Sequence, residues 1–243
     1  MIYLFDVDGT LTKPRQKVDT NFIFSFLSWA KDKRFYLVAG SDKEKVNEQI
    51  PSSMQSRCEG IFCCMANEFW QNRKVVYRNE FHPPEQLKEL LVSHQMYGGF
   101  PVKVKRGGRG PIFEFRTGML NFTTIGRNAG VKERDEYYQW DQEHKERENI
   151  AREVERKFPE LEARLGGQIS IDIQPKGYNK SQASRWVRKN LKSKMTFFGD
   201  KCDKGGNDYD IAEDIISNGD GTVIRVEDHF HTLRILEEQD YEN

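Results

Sequence analysis

The sequence predicts an α/β fold, a parallel sheet with crossover helices interrupted by an inserted α+β domain. Three observations predict it. A strand–helix–strand–helix order opens the chain, that order breaks off near Phe81, and it returns at about Asn179. The expected division is a core of 1–81 and 179–243 and an insert of 82–178.

Ile2–Phe5 is a short apolar run suited to a parallel strand buried on both faces, and it ends on Asp6 and a glycine-containing turn. Phe22, Ile23, Phe26, Leu27 and Ala30 share a helical face, so 21–31 reads as a helix. Phe35–Ala39 is a second strand, and Ser41 or Asp42 can cap the helix that starts near Lys43. His82-Pro83-Pro84 disfavours helix continuation and marks a linker. Within the insert, 85–94 reads as a helix, and 102–105, 112–116 and 119–123 as strands. Thr117-Gly118 is a two-residue hairpin candidate between the last two. The charged stretch 133–158 reads as helical with a break near Trp140-Asp141, and 168–173 as a further strand. The core pattern then resumes: helix 181–190, strand 195–198, helix 208–217, strand 222–226 and helix 229–238.

The 243 residues suffice for one large domain or two modest ones. Lys plus Arg equals Asp plus Glu at 38 each, and this balance argues against nucleic acid as a partner. Cys58, Cys63, Cys64 and Cys202 form no C-x-x-C pair, which suggests reduced thiols in a cytoplasmic protein. The start has no basic region followed by an apolar run, and no stretch approaches a membrane helix; no membrane association is expected. The five histidines show no metal-ligand spacing.

The chemistry concentrates in Phe5-Asp6-Val7-Asp8-Gly9-Thr10-Leu11-Thr12. In open α/β sheets ligands bind beyond the carboxyl ends of the strands, where Asp6 and Asp8 stand. Two such acids repel, so a cation is expected to hold them, and hard carboxylate oxygens suit Mg²⁺. An ionised Asp6 beside Mg²⁺ can attack phosphorus. Asp8 can then protonate the leaving oxygen and deprotonate the next acceptor. Other strand ends supply partners. The Ser41 hydroxyl can bond a phosphoryl oxygen, and Lys180 can neutralise charge on the transferring group. Asp200, Asn207 and Asp208 bring three oxygen-bearing side chains within nine residues. The insert carries Arg106, Arg109, Arg116, Arg127 and Arg134, and guanidinium groups bind phosphate in bidentate fashion.

The D-x-D pair with Ser41, Lys180 and Asp200 resembles the haloacid dehalogenase superfamily, which implies a Rossmann-like core with an inserted cap. The resemblance narrows to the eukaryotic-type phosphomannomutase family through 5–17, GSD-x-x-K at 40–45, the arginine-bearing 109–121, IGR at 125–127, 166–172, 175–180 and 197–208. It implies Asp6 as nucleophile, Asp8 as acid/base, and Ser41 and Lys180 on the phosphoryl group. The metal corner would be Asp200, Asn207 and Asp208, with Asp6 and the Asp8 backbone carbonyl. Arg15, Arg116, Arg127, Arg134, Ser170 and Asp172 would bind the hexose phosphate. The family further implies a hexose-1,6-bisphosphate activator, a homodimer through the cap and a place in GDP-mannose biosynthesis. The sequence departs from the family at Cys63-Cys64-Met65-Ala66, at Cys202-Asp203-Lys204 and after Val226. A phosphomannomutase, a capped sugar-phosphate phosphatase and a non-catalytic phosphosugar-binding protein remain the three readings to separate.

Overall fold

The computed structural model describes residues 1–100 and 110–241. The strand expected at 102–105, with Arg106 and Arg109, lies outside the described residues. The chain divides into two units, Met1–Asn79 with Gly177–Asn243, and Glu80–Lys176.

The first unit is a seven-stranded sheet. Its strands are β1 (Ile2–Asp6), β2 (Arg34–Val38), β3 (Gly60–Cys63), β4 (Glu68–Gln71), β5 (Lys74–Arg78), β10 (Met195–Gly199) and β11 (Gly221–Arg225), in the order β11-β10-β1-β2-β3-β4-β5. β11 through β3 pair in parallel. β4 and β5 add an antiparallel edge, so the sheet is mixed rather than purely parallel. Alternation decides which core each side chain joins. Phe5, Phe35 and Leu37 pack with α1 (Thr20–Trp29), α2 (Lys43–Gln49) and α3 (Ser52–Arg57). Ile2, Leu4, Tyr36 and Val38 pack with α7 (Ser181–Leu191) and α8 (Tyr209–Asn218) on the other face. Both faces are covered, which is why these strands read as continuous apolar runs. Asp19 caps α1 through the Asn21 and Phe22 N–H groups, and Asp42, not Ser41, caps α2. The unit closes with α9 (His229–Tyr241).

The second unit is an antiparallel sheet of β6 (Phe113–Arg116), β7 (Met119–Thr123), β8 (Leu161–Gly166) and β9 (Ser170–Pro175), in the order β6-β7-β9-β8. Leu120, Phe122, Ile171 and Ile173 face α4 (Glu85–Tyr97) and α6 (Glu146–Lys157), burying Leu87, Leu91, Ile150 and Val154. The helical stretch breaks at Lys145, not near Trp140: α5 (Val131–His144) runs through Trp140, and Lys145 takes the left-handed conformation with φ 55°. Asp141 instead ties the two helices. Its carboxylate accepts from the Arg147 backbone N–H at 2.9 Å and Nε at 2.8 Å, with both residues buried.

Candidate active site

Asp6 ends β1, the middle strand of the parallel part of the sheet, between β2 and β10. Its carboxylate is 1% exposed. Thr10 Oγ1 donates to Oδ2 at 3.3 Å, and Lys180 Nζ donates to Oδ1. Lys180 stands immediately before α7 and is fully buried. Its ammonium also donates to Asp208 Oδ1 at 2.7 Å. Asp208 precedes α8, and its Oδ2 accepts the Lys201 backbone N–H at 3.2 Å. Asp200 follows β10 directly.

Two glycines let these groups converge. Gly9, at φ 90°, lies so close to Asp200 that a Cβ would stand 2.3 Å from its Oδ2. A Cβ on Gly199 would stand 2.7 Å from Asp208 Oδ2. Carboxylate oxygens of Asp6, Asp200 and Asp208 consequently lie within 4.8 Å of one another.

Burial, and then the charge of Asp208, push the Asp6 carboxyl up to about 7 against the pull of Lys180. Asp200 is likewise raised, by burial first. Burial works against the Lys180 charge, but Asp208 and Asp6 outweigh it and hold the ammonium above its ordinary range. Three carboxylates against one ammonium leave a surplus of negative charge suited to a divalent cation. A second observation agrees. Asp200 Oδ1 and Asn207 Oδ1 are buried with no hydrogen-bond partner among the described residues. Hard oxygen donors of this kind fit a small divalent cation.

Asp8 departs from expectation. One cation was expected to hold the Asp6 and Asp8 carboxylates together, but the Asp8 carboxylate is not in the cluster. Its Oδ1 instead accepts the Arg15 backbone N–H and Gln49 Nε2, each at 2.7 Å. The turn after β1 sets this, because Asp8 pairs with Thr12 rather than extending the strand. Ser41 is half-buried in the loop leaving β2, the neighbour of β1, and its carbonyl accepts the Cys64 N–H at 2.7 Å. Arg15 is exposed, with φ 60°.

The remaining predicted residues belong to the second unit: Arg116, Ser170 and Asp172 on its sheet, Arg127 in the loop between β7 and α5, and Arg134 in α5. Hairpin register pairs Glu114 with Asn121, and Asn121 with Asp172. By alternation these residues, with Arg116 and Ser170, occupy the face opposite Leu120 and Ile171. Glu114 Oε2 accepts Arg116 Nη2 at 2.8 Å and pairs with Arg127 Nη2. These bonds, Arg116 first, hold the Glu114 carboxyl below its usual range. Asn121 Nδ2 donates to Asp172 Oδ1 at 2.6 Å, while Asn121 Oδ1 accepts from Arg127. Ser170 Oγ donates to the Gly166 carbonyl at 2.8 Å. Arg134 stands apart from this network. Its Nε and Nη2 donate to the Ala129 and Arg127 carbonyls at 2.8 and 2.6 Å, bracing the loop that carries Arg127.

Thr10, Gln49, Glu114 and Asn121 are the polar partners that sequence reasoning missed. The hairpin turn at Thr117-Gly118 carried the needed signal for two of them, because it fixes Glu114 opposite Asn121.

Known proteins share this architecture and this sequence. A haloacid dehalogenase subclass IIB sugar phosphatase superposes with TM-score 0.59 at 15% identity, covering 98% of both chains. A haloacid dehalogenase-like hydrolase from Bacteroides thetaiotaomicron gives 0.63 at 12%, again over 98% of both. These likenesses establish the fold. Phosphomannomutase from Dendrobium officinale is 36% identical over 219 residues, 88% of this chain and 85% of the relative. Phosphomannomutase 1 from Dictyostelium discoideum is 35% identical over 221 residues, 88% and 87% of the two. The sequence profile of eukaryotic phosphomannomutase matches residues 24–238. A family model covering residues 24–238 and identity above a third of positions over 88% of the chain place this protein in the eukaryotic phosphomannomutase family.

Proposed function

We propose that the enzyme interconverts mannose-6-phosphate and mannose-1-phosphate through an aspartyl-phosphate on Asp6, primed by a hexose-1,6-bisphosphate. Asp6 Oδ attacks the phosphorus of the bisphosphate, and the bond from phosphorus to the sugar oxygen breaks. Asp8 gives its proton to that oxygen. The monophosphate reorients, its other hydroxyl loses a proton to Asp8, and its oxygen takes the phosphoryl group from Asp6. Lys180 and Ser41 hold the equatorial oxygens of the transferring group. Asp6, Asp200, Asn207, Asp208 and the Asp8 backbone carbonyl would hold Mg²⁺, which supplies charge neutralisation to the phosphoryl group when bound.

The spectator phosphate falls to Arg15, Arg116, Arg127 and Arg134, and Ser170 and Asp172 bond the sugar. The polar face shared by Arg116, Ser170 and Asp172, with Arg127 bonded to two of its residues, carries this reading. A hydrolase needs only one phosphate gripped, whereas a mutase must accept either end of its sugar. The insert is also the proposed dimer surface. The exposure of Tyr97, Val131 and Tyr138 supports that role, and size-exclusion chromatography tests it.

The deciding assay supplies mannose-1-phosphate with a catalytic amount of glucose-1,6-bisphosphate and Mg²⁺. Activator-dependent mannose-6-phosphate is expected. Free phosphate without isomerised sugar would make the protein a capped sugar-phosphate phosphatase. Asp6→Asn is expected to lose turnover by at least about 10³-fold, because the attacking oxygen is gone.

A further inference from the structure

Gln49 closes α2 and is only 2% exposed. Its Nε2 donates to Asp8 Oδ1 at 2.7 Å and to the Gln16 carbonyl at 3.4 Å. The Arg15 backbone N–H meets the same Asp8 oxygen at 2.7 Å. Arg15 holds that N–H in a left-handed conformation that is costly for a non-glycine residue. Chemistry fixes the orientation of the Gln49 amide. Turned over, its Oε1 would face two other oxygens. As placed, Oε1 is buried with no hydrogen-bond partner among the described residues. Burying an unmatched acceptor is unfavourable, and methionine would fill the space without that penalty. Packing alone therefore does not call for glutamine here, whereas the bonds from Nε2 do.

We propose that Gln49 is a positioning residue for Asp8. Two N–H donors occupy Oδ1, so a proton carried by Asp8 resides on Oδ2, and the carboxyl is held in one rotamer for transfer to a sugar oxygen. Gln49 itself touches no reacting atom. The inference rests on the reading of Asp8 as acid/base. Replacing the side chain leaves the Val18 N–H to Gln49 carbonyl bond of 3.0 Å in place.

Leaving-group dependence tests it, using the full chain with Mg²⁺. Transfer from a hexose bisphosphate requires a proton on the departing sugar oxygen. Transfer from p-nitrophenyl phosphate does not, because p-nitrophenolate departs as the anion. The p-nitrophenolate burst reports phosphorylation of Asp6 alone, before any step that returns the phosphoryl group. Gln49→Met is expected to slow phosphorylation by the bisphosphate roughly tenfold or more, while the burst rate with p-nitrophenyl phosphate stays within about twofold. Asp8→Asn is expected to show the same selectivity at about 10²–10⁴-fold. The double variant should be no slower than Asp8→Asn, because Gln49 acts only through Asp8. If Gln49→Met does not fold, Gln49→Glu, of equal size, is expected to show the same selective loss. Equal losses with both donors, no loss with either, or additive effects in the double variant would overturn the role of Gln49. A non-selective Asp8→Asn would overturn the acid/base reading itself, and this inference with it.

Discussion

Lys180 is a buried cation between two buried carboxylates, and its removal shows what each charge costs. Without it, Asp6 and Asp208 face each other with no counter-charge at hand. Lys180→Met is expected to destabilise the metal-free protein by about 3–5 kcal/mol at pH 8, measured by urea unfolding. Asp6 behaves oppositely. Its folded-state pKa of about 7 lies above the ordinary 3.8, because burial and Asp208 disfavour the charge. A raised pKa contributes stability that is present at low pH and lost as pH rises through the folded value. Metal-free wild type should therefore lose about 2 kcal/mol between pH 5 and pH 7.5 through this group, and Asp6→Asn should not. Mg²⁺ should abolish the difference. An equal slope in both proteins would show that Asp6 is not the titrating group.

Helices and hairpins set where such residues end up, and they differ in how openly the sequence displays them. Lys145 joins α5 to α6 at φ 55°, a conformation glycine adopts without steric cost. Lys145→Gly is expected to raise stability by about 0.5–1 kcal/mol, read as a higher melting temperature with activity unchanged. The two-sided burial of β1, β2 and β10 made those strands legible as apolar runs, and an acid at the end of β1 and another just past β10 marked the site. β8 was not legible. Leu-Glu-Ala-Arg-Leu is composed of strong helix formers, and only its pairing with β9 makes it a strand, with Leu161 and Ala163 inward. The β4–β5 hairpin was hidden for a related reason. Val75 and Val76 are both exposed on an edge strand, so no alternation appears, and its turn is carried by Asn72 and Arg73 at positive φ rather than by glycine. Within the site, the separate destinations of Asp6 and Asp8 depend on a backbone turn, and the partners of Arg116 and Arg127 depend on cross-strand register. Neither is written in residue spacing.

The two units carry different halves of the proposed chemistry, and their responses to ligand should separate. Every candidate metal donor belongs to Met1–Asn79 with Gly177–Asn243. In calorimetry, Mg²⁺ at a hundredfold its Kd should stabilise that unit by about 2.7 kcal/mol. A transition assigned to Glu80–Lys176 should move much less. Arg127→Ala should leave the Mg²⁺ response intact and weaken hexose-phosphate binding by about 1–3 kcal/mol, measured by titration calorimetry. The strand order has a further consequence, for how the chain is made. β1 is seated between β2 and β10, strands on opposite sides of the insert. During synthesis the contiguous insert is complete while β1 still presents an unpaired apolar edge. That edge waits until residues near Gly199 have emerged, and such long-range pairing is slow and exposed to aggregation. A nascent chain halted before Met195 would therefore hold Asp6 with neither Asp200 nor Asp208 beside it. The cluster around Asp6 becomes complete only once Asp208 has emerged, so a shorter nascent chain lacks the side chains proposed to hold the cation and carries none of the proposed phosphoryl chemistry.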